Sequence, residues 1–90
     1  MDKKQGKEES ILEYIEHYHP DSLLANGFDS AIIGVTTGFD SGRVVYDTRK
    51  MVEILLQEGD TTEEEAWEFL EFNTFGAWVD DKQPIYLDSF

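Results

Sequence analysis

Apolar residues recur along this chain with two different periods, and the change from one to the other divides it into elements. Between Ser10 and Tyr18, the residues Ile11, Leu12, Ile15 and Tyr18 keep the i, i+1, i+4, i+7 spacing of one helical face. Glu9, Glu13 and Glu16 fall on the other side. His19–Pro20 ends the segment, because the residue before a proline is pushed out of helical backbone. Residues 21–25, DSLLA, predict one further short turn, stopped by Asn26–Gly27. The pattern then becomes β-branched. AIIGV at 31–35 and RVVY at 43–46, separated by TTGFDSG, predict a β-hairpin. Asp47 stands where the N-cap of a second helix belongs, and Met51, Val52, Leu55 and Leu56 share a face of that helix before Gly59 closes it.

A third helix opens with Thr62 and, three residues later, Glu65, the signature of a capping box. At about 100° per residue, Ala66, Phe69, Leu70 and Asn73 cluster on its apolar side, flanked by Trp67 and Phe72. Glu64, Glu68 and Glu71 project from the opposite side. An amide on an apolar face must find partners, so Asn73 is expected to hydrogen-bond the backbone of the following turn or of the terminal strands. Gly76 reads as a turn residue chosen for its tolerance of positive φ, and Phe75 and Trp78 read as core aromatics. AWV and IYL then predict two short strands joined by a turn around Asp80–Asp81.

The expected whole is an α+β fold with a small antiparallel sheet, made of the hairpin 31–46 and short strands near 77–79 and 85–87. Two to three helices, about 10–18, 48–58 and 63–73, pack against it. Residues 1–9 form a flexible polar N-terminus, and 10–90 a single domain.

Charge changes this picture more than composition does. The 90 residues carry 20 acids and 7 bases, a formal net charge of −13. From Glu8 onward 19 acids face 4 bases, and from Met51 onward 11 acids face Lys82 alone. Direct binding to nucleic-acid phosphates or to an anionic membrane lacks the basic patch it requires. A basic protein partner would instead be steered toward the chain. No apolar run approaches the length of a membrane span, and the N-terminal lysines are not followed by the apolar stretch of a signal peptide.

Candidate chemistry is sparse. There is no cysteine, and no phosphate-binding, dinucleotide-binding, serine-hydrolase or H-E-x-x-H motif. His17 and His19 point about 200° apart on a helix, with no third ligand indicated, so no metal site is expected. Asp29, Asp40, Asp47 and Asp60 lie beside turns and helix starts, where they satisfy orphan N–H groups, and none belongs to a calcium-binding loop pattern. No cofactor and no catalytic residues are expected. Glu64, Glu68 and Glu71 are different. Like charges one helical turn apart destabilise a helix slightly, and few bases compensate them. Together with Asp80 and Asp81 they are the candidate partner-binding residues, whereas Asp47, Thr62, Asn73, Gly76 and Trp78 are read as structural.

The run from Tyr46–Asp47 through Lys50, Glu64–Ala66, Glu71–Asn73 and Gly76–Val79 to Pro84–Ile85 resembles a family of small uncharacterised proteins encoded by tailed bacteriophages. The upstream GFDSAIIGV at 27–35 is similar to that group as well. Asp80–Asp81 departs from it, standing where the family has a glycine–glutamate turn. The resemblance implies a phage origin and the cytoplasm of a host bacterium, and it brings no activity. The expected function is that of an accessory protein without catalysis, binding a host or phage protein through its acidic face. In sharper form it is a DNA mimic that inhibits a host defence or nucleic-acid-handling protein. The alternative is a structural or assembly module, either a homo-oligomer or a component of a phage complex.

Overall fold

A computed structural model describes residues 7–76 and 80–89, with side chains from Ile11 onward. The first helix, α1 (Lys7–Tyr18), is followed by β1 (Ile32–Val35), β2 (Val44–Asp47), α2 (Thr48–Gln57), α3 (Glu63–Leu70) and β3 (Ile85–Leu87). Helix α1 begins at Lys7, three residues before the expected start at residue 10. Residues 21–25 form no helix; Gly27, at φ 91°, turns the chain without one. The expected strand near 77–79, and with it Trp78, lies outside the described residues.

The fold is α+β, with one three-stranded sheet in the order β1-β2-β3. Strands β1 and β2 form the expected antiparallel hairpin, pairing Ile32 with Tyr46, Gly34 with Val45 and Val35 with Val44, with a bulge between Ile32 and Gly34. The sheet is mixed and not wholly antiparallel, because β3 runs parallel to β2 and pairs Val45 with Ile85, Tyr46 with Tyr86 and Asp47 with Leu87. The reason is the connection. Helices α2 and α3 carry the chain back along the sheet before β3 begins, and a helical crossover returns the next strand in the same direction.

Alternation along β2 sends Val44 and Tyr46 into the core, where they meet Ile32, Met51, Val52, Ala66 and Leu70, with Ile15 contributed by α1. Tyr46 is fully buried, and its hydroxyl accepts the Ala25 N–H at 2.7 Å, which ties the 21–28 segment to the sheet. Burial pushes its phenol up to about 12. Tyr86 packs between Phe75 and Tyr46, with ring centres 4.8 and 5.9 Å away, so Phe75 is a core-side aromatic as its sequence suggests.

Both predicted helix starts are present. The Asp47 carboxylate accepts the Arg49 N–H at 3.0 Å. At α3, the Thr62 hydroxyl accepts the Glu65 N–H, and the Glu65 carboxylate accepts the Thr62 N–H. Gly59, at φ 116°, follows the last turn of α2 as expected.

Asp47 also receives the Ser89 hydroxyl at 2.7 Å, while Thr48 donates to Asp88. The segment after β3 is thus fastened to the start of α2. Burial alone would raise the Asp47 carboxyl. The Ser89 hydroxyl, the backbone N–H groups of Arg49 and Lys50 and the Lys50 charge outweigh it and hold the group below its ordinary 3.8. A depressed folded-state value stabilises the fold above pH 3.8, and that contribution is lost as pH falls through the lower folded value. Asp47→Ala is therefore expected to cost about 2 kcal/mol at neutral pH, from the lost cap and the lost Ser89 bond. Urea titrations of both proteins as a function of pH should show the difference narrowing below pH 4. A constant difference would mean that the carboxylate charge is not what stabilises this corner.

Candidate functional site

The α3 face departs most from its helical-wheel reading. Ala66 and Leu70 are fully buried, which is enough to anchor the helix on the core. Phe69, assigned to the same side by periodicity, is half-exposed at 48%, and Phe72 is 87% exposed. Beyond Leu70 the chain continues as a π-helical turn, Glu71–Phe75, whose bonds run i→i+5. A wider turn advances through a smaller angle per residue, so positions after Glu71 no longer obey a wheel drawn at 100°.

Asn73 shows the consequence. It is exposed, and its side-chain amide donates backward to the Phe69 carbonyl at 3.1 Å. The bond expected to the following turn or to the strands is replaced by one to the preceding turn. Gly76 also differs from its reading. Its φ is −86°, an ordinary helical value. What a side chain would meet there is the Glu71 carbonyl oxygen, 3.2 Å from where a Cβ would stand, so close approach and not handedness favours glycine.

Glu64, Glu68 and Glu71 are all exposed along α3 and its continuation. Glu68 and Glu71, with Glu65, Phe69, Phe72 and Asn73, line an open recess of about 550 Å³. Glu64 does not line it. Asp80 and Asp81 are exposed and do not line it. Asp80 serves the local turn, its carboxylate accepting the Lys82 N–H at 3.0 Å and its carbonyl the Gln83 N–H at 3.1 Å. The structure thus groups part of the expected acidic set and adds two aromatic rings to it.

A repeat in the sequence marks this arrangement and escapes a reading based on apolar periodicity. Glu65, Glu68 and Glu71 each precede a phenylalanine by four residues, namely Phe69, Phe72 and Phe75. Four residues is the spacing of one α-helical turn, and Glu65, Glu68, Phe69 and Phe72 line the same recess. Phe75 turns inward to Tyr86, and the first two pairs remain at the surface. A guanidinium or ammonium group laid over such a ring can pair with the neighbouring carboxylate while its aliphatic stem covers the phenyl.

Elsewhere, His17 and His19 are occupied separately. His17 packs edge-on against Tyr18, with ring centres 4.5 Å apart, and His19 lies 5.9 Å from the Tyr14 ring. Among the described residues, no three His, Asp or Glu side chains gather as a group that could hold a metal ion. No helix of the described residues is long and apolar enough to cross a membrane. Comparison of the chain with protein-family models, curated proteins and solved structures finds no match.

Proposed function

We propose that this protein is a non-enzymatic binding protein whose α3 face takes up a basic segment of a host or phage protein. The observation that supports it most strongly is Phe72, an almost fully exposed ring set in a row of carboxylates. Packing does not require phenylalanine at a position the core does not reach. Aromatic residues are enriched at protein interfaces, where they serve as central anchors. The net charge of −13 adds steering of a basic partner at long range. In its sharper form the reading is DNA mimicry: carboxylates one helical turn apart occupy the basic groove of a host defence or nucleic-acid-handling protein, in the host bacterial cytoplasm.

The expected result is that the immobilised protein retains a basic nucleic-acid-handling protein at about 50 mM salt and loses most of it as ionic strength rises, because screening shortens the reach of the exposed charges. If nothing is retained at about 50 mM salt, the reading fails. A second reading, a module that assembles with copies of itself, is favoured by a separate observation: Phe39, at the tip of the β1–β2 hairpin, is fully exposed.

A further inference from the structure

The loop that carries Phe39 is braced at many points. The Thr36 N–H donates to the Arg43 carbonyl at 2.8 Å and the Gly42 N–H to the Thr36 carbonyl at 3.0 Å. The Thr36 hydroxyl accepts the Arg43 N–H and donates to the Asp40 carbonyl. Arg43 also pairs with the Asp40 carboxylate at 3.0 Å. From outside the loop, Lys82 Nζ donates to the Ser41 carbonyl at 2.9 Å, and Ser22 donates to the Gly42 carbonyl. A loop held this firmly loses little freedom when it binds, and what it presents is one phenyl ring beside a neutralised ion pair.

A receptor for such a ring exists on the same chain. Leu23, Leu24, Phe28, Pro84 and Tyr86 line a recess of about 340 Å³, large enough for a phenyl group. Among the described residues none of its lining side chains is charged, in a chain of which 30% is charged. The two features are neighbours, since Arg43 Nε at the loop base donates at 2.9 Å to the carbonyl of Gln83 on the recess wall. Two copies at −13 each repel one another wherever carboxylates meet. The loop, where Asp40 pairs with Arg43 and the Lys82 ammonium bonds the Ser41 carbonyl, set against a recess lined by no charged side chain is a contact that avoids this. We infer that two copies associate about a two-fold axis, each inserting Phe39 into the Leu23–Leu24–Tyr86 recess of the other.

The inference rests on the assembly reading and not on the acidic face. The loop base adjoins the recess wall through the Arg43–Gln83 bond, and a reciprocal exchange of plug and recess closes on itself as a self-complementary pair. The contact is small, so it is a weak, reversible one. Sedimentation equilibrium of the full chain from about 10 μM to 1 mM should show a dimer that strengthens as salt rises from about 50 to 500 mM, opposite to the salt response of an acidic-face complex. Phe39→Ser should weaken it at least about tenfold, as loss of an interface anchor does. Its thermal unfolding should match the parent's, since Phe39 is fully exposed. Leu24→Lys, which places a charge at the partly exposed mouth, should weaken it similarly. Mixing Phe39→Ser with Leu24→Lys should recover association, because that heterodimer keeps one intact plug and one intact recess. A strict monomer at about 1 mM in high salt overturns both the inference and the assembly reading. A dimer that Phe39→Ser leaves intact, or a mixture that recovers nothing, overturns the inference alone.

Discussion

Replacing Leu70 with alanine should lower the unfolding free energy by about 2–5 kcal/mol. Leu70 is fully buried at the last turn of α3, within the cluster that includes Tyr46, Met51 and Ala66. Its side chain holds that turn on the core just before the backbone widens into the π-helical segment. Truncation removes apolar burial and leaves a cavity whose walls come from both sheet and helices, so they relax only partly. Domains of this size have about 5–15 kcal/mol in total, so the loss is a large fraction of the whole. Chemical denaturation followed by tryptophan fluorescence measures it directly. A loss below about 1 kcal/mol would show that α3 is not anchored through this residue.

Phe72→Ser should have the opposite profile. Its ring is 87% exposed, so the unfolding free energy should stay within about 0.5 kcal/mol of the parent. Affinity for a captured basic partner should fall about 30-fold or more, the loss expected of an interface anchor of about 2 kcal/mol. Phe75→Ala is the control, because that ring packs against Tyr86 and its loss should reduce stability first. Titration calorimetry beside thermal unfolding separates the two variants. Unchanged affinity in Phe72→Ser would assign the exposed ring to something other than the proposed interface.

Where local chemistry decides structure, the sequence was readable. Asp47 before α2 and the Thr62–Glu65 pair before α3 fix helix starts through side-chain bonds to the nearest N–H groups, and such bonds depend only on close neighbours. The hairpin is similarly local, with a β-branched run on each side of a glycine-containing loop. The direction of β3 was not readable, because it depends on how α2 and α3 carry the chain between strands distant in sequence. The surface of α3 was misread for a different reason. Apolar periodicity assigns Phe69 inward and Phe72 to the flank of that face, yet Ala66 and Leu70 already satisfy the core, which leaves Phe69 partly and Phe72 almost wholly outside. Within the π-helical turn Asn73 is exposed and bonds the preceding turn in place of the following one.

The acidic stripe was readable in position but not in composition. Glu64, Glu68 and Glu71 are exposed as expected. The recess, however, takes Glu65 in place of Glu64 and is not lined by Asp80 or Asp81. That arrangement changes the nature of the surface. A purely carboxylate strip offers charge alone, which salt screens, whereas alternating rings and carboxylates offer charge together with apolar contact.

The central proposal is that this mixed face, and not the overall charge, selects the partner. The most direct measurement is affinity capture from phage-infected bacteria with three versions of the full chain. These are the parent, a Glu65→Gln, Glu68→Gln, Glu71→Gln variant, and one in which three acids outside the recess, Glu13, Glu16 and Glu53, are neutralised to the same extent. The parent and the distal variant should retain the same basic protein, and the α3 variant should lose it. If the two variants lose it equally, net charge alone is responsible, and if neither loses it, the α3 face is not the binding site.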